Sequence, residues 1–250
     1  MLASLLGGLG AVGLATVASY HAISPTSQVY GHAFIGLPRG SHLLALTYDD
    51  GPNDPYTWRM MEVLERHGIK GTFFLIGRFV RQKPDIARAL VEAGHAIGSH
   101  SWDHPNLIFI SKAAVHRQLE QTQKAVFDAT GVEPKLFRPP FGRRRPGSLG
   151  AVRAYGLEPI MWSVTCYDWK AKSAASIVGH ARRQIRGGDV ILLHDGGYRC
   201  MGTDRSRSVA ASDQILTIYR QQGYEFVTIP QMIEKAHPTT PSYQADRSQV

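Results

Sequence analysis

Two short segments of this chain hold residue types suited to hydrolysis. The first is an apolar run closed by two acids, Leu43-Leu44-Ala45-Leu46-Thr47-Tyr48-Asp49-Asp50-Gly51-Pro52. The second is His100-Ser101-Trp102-Asp103-His104-Pro105, with imidazoles at i and i+4. On a helical turn that spacing turns both rings to the same side. One carboxylate and two imidazoles suit a Zn, Co or Fe site that keeps positions open for water and substrate. The second carboxylate is then free for proton transfer. Metal-assisted hydrolysis uses such a set.

The elements that must position these residues alternate between strand and helix. Strands are expected at Leu43–Tyr48, Gly71–Ile76, His95–Ser99, Pro134–Arg138, Pro159–Val164, Val190–Leu193 and Phe226–Val227. A helix is expected after each of the first six, and a last helical turn at Pro230–Lys235. Asp54 is expected to cap the first helix, with Pro55 in its first turn and Gly68 as its stop. Ser111 is expected to cap a later one, with Val115, Leu119, Thr122 and Val126 on one face. Strands with apolar interiors, each followed by a helix, make a parallel sheet covered by helices. A closed or nearly closed barrel fits the strand count. An open doubly wound sheet is the competitor, and the Gly-rich dinucleotide fingerprint it often carries is missing. The acids and histidines all fall just beyond strands, where barrel active sites lie.

A net charge of +8 favours an anionic partner. No basic run with interleaved aromatics occurs, so nucleic acid is not expected. Residues 1–17 carry no charged side chain, and Val17-Ala18-Ser19 offers the small residues a signal peptidase accepts. A signal peptide or membrane anchor is expected over 1–22, a linker or covering arm over 23–42, the folded domain over 43–236, and a disordered tail over 237–250. Export would permit Cys166 and Cys200 to pair. Each lies just beyond a strand, so both are expected on one face. His95 has no partner among these groups and is read as structural. Arg143-Arg144-Arg145 is read as a solvated loop near the site mouth.

Three more segments follow strands: Arg138-Pro139-Pro140-Phe141-Gly142, Asp168-Trp169 and Leu192-Leu193-His194-Asp195. With the first two, in this order, they closely resemble the NodB-type polysaccharide deacetylases, carbohydrate esterase family 4. The resemblance spans roughly Leu43 to Ile233. It implies an α/β fold, a distorted (β/α) barrel with about seven strands. It implies metal-dependent removal of N-acetyl, sometimes O-acetyl, groups from a polysaccharide or oligosaccharide such as peptidoglycan or a chitin-type glycan. The cofactor is then one divalent metal, zinc first, with cobalt or another divalent ion as substitutes.

Carried over by position, the resemblance makes Asp49 the general base and Asp50, His100 and His104 the metal ligands. Arg138 would orient Asp49. Phe141 would line the site and give its backbone N–H to the oxyanion. Asp168 would tune His194, the general acid, while Trp169 and Leu192 would wall the acetyl pocket. Many relatives carry an acid three residues before the Asp-Trp pair, where this chain has Thr165. The expected partner is an acetylated glycan, and the expected location is outside the cytoplasm: secreted, periplasmic or held at the membrane or cell wall. Two rivals stand beside this reading. A non-haem iron oxygenase also uses two histidines and a carboxylate, and an inactive glycan-binding homologue would keep the fold alone.

Overall fold

The computed structural model describes residues 15–236. The expected disordered tail and the first fourteen residues of the expected leader lie outside the described residues. Eight parallel strands form one sheet: β1 (Leu43–Gly51), β2 (Thr72–Leu75), β3 (Ala96–Ser99), β4 (Leu136–Phe137), β5 (Glu158–Pro159), β6 (Val164–Thr165), β7 (Val190–His194) and β8 (Glu225–Phe226). Seven follow the order β5-β4-β3-β2-β1-β7-β6, and β8 pairs with the start of β1. Helices α1 (15–23), α2 (Tyr56–Arg66), α3 (Gly77–Gln82), α4 (Pro84–Glu92), α5 (Lys112–Thr130), α6 (Ser148–Ala154), α7 (Ala174–Gln184), α8 (Ser206–Gln221) and α9 (Ile229–Ala236) complete the chain.

The sheet curls into an open (β/α) barrel with two apolar layers, and strand periodicity sorts residues between them. On β1, Leu44, Leu46 and Tyr48 face the layer under the helices, with Phe73, Ile191 and Leu193. Leu43 and Ala45 face the inner layer, with Phe74, Val190 and Leu192. All nine β1 residues are buried, which is why the strand reads as an unbroken apolar run until its acids. Asp49 has the parity of Leu43 and Ala45, and His194 that of Val190 and Leu192. Both therefore belong to the inner face. Asp49 pairs in register with His194 across β1 and β7.

The barrel has a seam between β5 and β6. One strand was expected over Pro159–Val164; instead the chain crosses this gap. Ile160 N–H donates to Phe137 on the β4 side, while Ser163 N–H donates to Val190 on the β7 side. The chain is therefore split into two short strands, residues 158–159 paired with β4 and residues 164–165 paired with β7. Residues 33–37 close the seam further. Phe34 bridges to Ile160, and Gly36 bridges to Asp189. Gly36 has φ +136° and would drive a Cβ into the Gly188 carbonyl, so glycine alone passes there.

Other boundaries moved for local reasons. Helix α2 starts at Tyr56 with Pro55 as its cap residue, and no side chain caps it. Asp54 instead accepts from Lys83 Nζ at 2.9 Å. Gly68 ends that helix with φ +64°. Ser111 Oγ accepts from Ala114 N–H as expected. The face Val115, Leu119, Thr122 and Val126 is buried. Helix α3 was not anticipated, because six residues opening on Gly77 show no helical periodicity. No helix among the described residues is long and apolar enough to cross a membrane.

The expected disulfide does not form. Cys166 and Cys200 are free thiols, one buried and one exposed. Cys166 packs in the layer under the helices, while Cys200 lies in the loop between β7 and α8. The two are on different faces, and burial pushes the Cys166 thiol well above its ordinary pKa. In native protein a thiol reagent should therefore label Cys200, and Cys166 only after unfolding. Mass spectrometry of unreduced protein should find no linked peptide; a linked pair, or rapid double labelling of folded protein, would contradict this.

Candidate active site and metal centre

Adjacent residues on a strand point to opposite faces, so Asp49 and Asp50 should not meet in one site. A bulge brings them together. Against β2 the register runs Asp49 to Phe74, then Gly51 to Leu75, leaving Asp50 as the extra residue. Its φ is +72°. The reversed backbone swings Asp50 into the mouth beside Asp49. There its Oδ2 accepts from the backbone N–H of Tyr198 at 3.2 Å.

The histidines are not on a helix, as their spacing suggested. They occupy the loop after β3, where Ser101 has φ +67° and His104 φ +63°. Ser101 Oγ accepts from His104 N–H at 3.1 Å and fixes the turn. The ring centroids of His100 and His104 lie 4.8 Å apart. His100 Nδ1–H donates to the Arg138 carbonyl at 2.8 Å, leaving the Nε2 lone pair toward the acids. Burial holds the His100 pKa down to about 3. Burial, then the neighbouring His100, holds that of His104 to about 2. Both rings are thus neutral, the state that binds metal.

Asp50 Oδ1 is buried and makes no hydrogen bond. It lies 3.3 Å from His104 Nε2 and 3.6 Å from His100 Nε2. Burial first, countered by His194 and reinforced by Asp49, raises the Asp50 carboxyl to about 7. One donor atom from each of Asp50, His100 and His104 falls within 4.8 Å of the others. An orphaned acidic oxygen facing two neutral imidazole nitrogens fits a divalent cation, which would favour the ionised carboxylate.

Arg138 is fully buried, yet its Nη groups are well occupied. Nη1 donates to Asp49 Oδ1 at 2.7 Å and to Thr47 Oγ1 at 2.8 Å, and Nη2 donates to the Met161 carbonyl at 3.1 Å. The guanidinium also lies 4.1 Å from the Phe74 ring centroid. Burial lowers its pKa, and Asp49 counters that. Asp49 is therefore held by one oxygen, with Oδ2 left to the cavity side, 3.7 Å from His100 Nε2.

The opposite pair is Asp168 and His194. Asp168 Oδ1 accepts from His194 Nδ1–H at 2.8 Å, and Oδ2 accepts from His194 N–H and Ser208 Oγ–H. Burial disfavours a charged His194. Asp168, by charge and hydrogen bond, and then Asp50 and Asp49 outweigh that and lift its pKa to about 9. Burial would raise the Asp168 carboxyl, but His194 and Ser208 bring it below its ordinary value.

These residues share one cavity of about 460 Å³ with Phe141, Trp162, Trp169, Leu192 and Tyr198. All the anticipated groups except Arg138 and Asp168 line it, and those two stand directly behind Asp49 and His194. Phe141 has φ +59°. Trp169 packs edge-on against His194, centroids 5.3 Å apart. Thr165 accepts from the indole N–H of Trp162, so at this position it fixes a wall residue.

Several contributors were missed. Tyr198 stacks on His104 at 4.6 Å and 19°. Its place four residues beyond His194, in a post-strand loop, was the available signal. Asp195 is fully buried, accepts from Thr57, and is raised to about 7 by burial. The arginine run is not a solvated loop throughout: Arg143 lines the cavity, but Arg144 is fully buried. Ile23, from the arm, also lines the cavity.

Fold and site together define an open (β/α) barrel whose mouth gathers three donors able to hold a metal ion beside the Arg138–Asp49 and Asp168–His194 pairs. The chain belongs to the polysaccharide deacetylase family, carbohydrate esterase family 4, whose sequence pattern matches residues 37–160. It is 39% identical over 189 residues to the peptidoglycan-N-acetylglucosamine deacetylase PgdA of Listeria monocytogenes, covering 76% of this chain and 38% of that one. It thus spans well under half the length of that relative. A peptidoglycan-N-acetylglucosamine deacetylase of Bacillus cereus is 32% identical, with 83% of this chain and 95% of that one covered. A crystal structure of a peptidoglycan N-acetylglucosamine deacetylase with 4-naphthalen-1-yl-N-oxidanyl-benzamide is 33% identical. It superimposes with a TM-score of 0.76 over 84% of this chain and 96% of that one.

Proposed function

We propose that this chain is a metal-dependent deacetylase that removes N-acetyl groups from N-acetylglucosamine units of an extracytoplasmic glycan, peptidoglycan first and chitin-type oligomers second. One observation carries the reading. Two proton-handling pairs, Arg138–Asp49 and Asp168–His194, come together where Asp49 and His194 pair in register on adjacent strands, beside the Asp50, His100 and His104 donors of the same cavity. An oxygenase has no use for these pairs, and an inactive homologue has no need of both. The names of the relatives above and the net charge of +8, which suits an anionic wall polymer, support the substrate class. Such a substrate lies outside the cytoplasm, and the uncharged apolar start of the chain supports export, followed by release or by retention at the membrane or wall.

Asp50, His100 and His104 would hold one divalent ion, zinc being suited to one oxygen and two nitrogens, with cobalt or another divalent ion as a substitute. A bound ion supplies Lewis acidity and a more acidic water. The rest falls to the chain's own groups. Asp49 takes the proton of the attacking water on Oδ2, the oxygen Arg138 leaves free. Phe141 donates its backbone N–H to the carbonyl oxygen as negative charge grows there. As the C–N bond breaks, its electron pair stays on nitrogen, and His194 delivers a proton to it from Nε2. Leu192 and Trp169 enclose the acetyl group. An amine cannot leave as an anion, so a strong dependence on the acid favours N-acetyl over O-acetyl substrates.

Acetate release from a panel of N-acetylated glycans tests this reading. Chelation should abolish release, and a divalent ion added back should restore it. Undiminished turnover by rigorously metal-free protein would refute the metal's role. No release from any glycan at full metal occupancy would refute the activity.

A further inference from the structure

The arm before the barrel does more than close its seam. Arg144 is fully buried, and three backbone carbonyls satisfy its Nη groups. Nη2 donates to Ser24 and Ser27, both at 2.6 Å, and Nη1 donates to Gly142 at 3.0 Å. The Arg144 backbone N–H donates to Ala22 at 3.0 Å. The arm braces itself as well: His21 Nδ1 and Ser27 Oγ share a hydrogen bond of 2.8 Å. A buried guanidinium spread over these carbonyls ties residues 22–27 to the loop that carries Phe141.

The next residue after Ala22 is Ile23. It lines the same cavity as Asp49 and His194, although it comes from a segment outside the five motifs. Ile23 is 52% exposed, with Phe141 at 41% and Trp169 at 46% around the same mouth. Ile23 thus extends this mouth with an exposed apolar side chain that the acetyl pocket does not use. Pyranose rings present C–H faces that pack on such surfaces, and binding clefts are lined this way.

We propose that Ile23 is a substrate-contacting, specificity-determining residue: with Phe141 it forms the apolar wall against which the sugar next to the reacting N-acetylglucosamine packs, and Arg144 holds that wall in place. This rests on the deacetylase reading for its substrate class. It assigns to the arm a role in choosing chain length, which a small acetyl ester would not engage.

The test compares wild type, Ile23→Ser and Ile23→Leu. Steady-state kinetics use N-acetylglucosamine oligomers and a small aryl acetate. Binding of the uncleaved oligomer is read by tryptophan fluorescence in the metal-loaded Asp49→Asn background, which separates this proposal from the activity. Ile23→Ser should raise KM and Kd for oligomers about tenfold, the order expected for losing half of one apolar side chain's burial. It should change kcat less than twofold and weaken oligomer turnover far more than aryl acetate turnover, and Ile23→Leu should restore oligomer binding. An unchanged Kd in Ile23→Ser, an equal loss on both substrates, or no oligomer binding to the Ile23-containing protein would overturn the proposal. Oligomer binding that weakens in Ile23→Ser would sustain it even if no acetate were released.

Discussion

Asp49→Asn should keep its metal and its fold while losing about 10²–10⁴-fold in turnover, the usual cost of removing one general base. Asp49 Oδ1 is occupied by Arg138, and the carbonyl oxygen of an asparagine can take over that 2.7 Å contact. Arg138 then still has an acceptor, so the buried guanidinium is not stranded. The metal donors come from Asp50, His100 and His104, none of which is altered. What is lost is the basic oxygen on the cavity side, since an amide nitrogen cannot accept the water's proton. Metal content and acetate release should be measured on the same sample. A near-normal rate with bound metal would mean that the roles of the two adjacent acids are exchanged.

His194→Ala should lower turnover by a similar factor with little loss of metal, because its imidazole is not among the three donors. The informative partner is Asp168→Asn. The general acid must be protonated, so activity falls as pH rises through the His194 pKa of about 9. Burial alone would push that value down, and the Asp168 carboxylate does most to oppose it. Removing its charge should move the alkaline limb toward lower pH, to or below the ordinary histidine value of about 6.5. An alkaline limb that stays in place in Asp168→Asn, while His194→Ala remains crippled, would show that another group tunes or supplies the acid.

The strands were legible from their apolar runs, and period-two parity then sorts which residues share a face. Leu43, Ala45, Thr47 and Asp49 fall on one side of β1, and Val190, Leu192 and His194 on one side of β7, wherever the strands pack. The helix after Ser111 was legible too, since its cap and its buried stripe lie within one segment. The one strand expected over Pro159–Val164 failed because its hydrogen-bond partners are far away, on β4 and β7. The expected disulfide failed because two cysteines that each follow a strand need not share a face.

Residue types and their order therefore determined the reaction class: paired acids, two histidines, an arginine and a later histidine have few other joint uses. Only the tertiary structure decided how they meet. Asp49 and Asp50 point together through a bulge with a left-handed backbone, and the histidines converge through two positive-φ residues in a loop. Neither conformation is preferred by those residues on their own; each survives because neighbours over-determine it. The same holds for Tyr198, brought onto His104 by a loop 94 residues later in the chain, and for Ile23, carried to the mouth by a buried arginine. Such contacts depend on long-range packing, which no local pattern of side chains encodes.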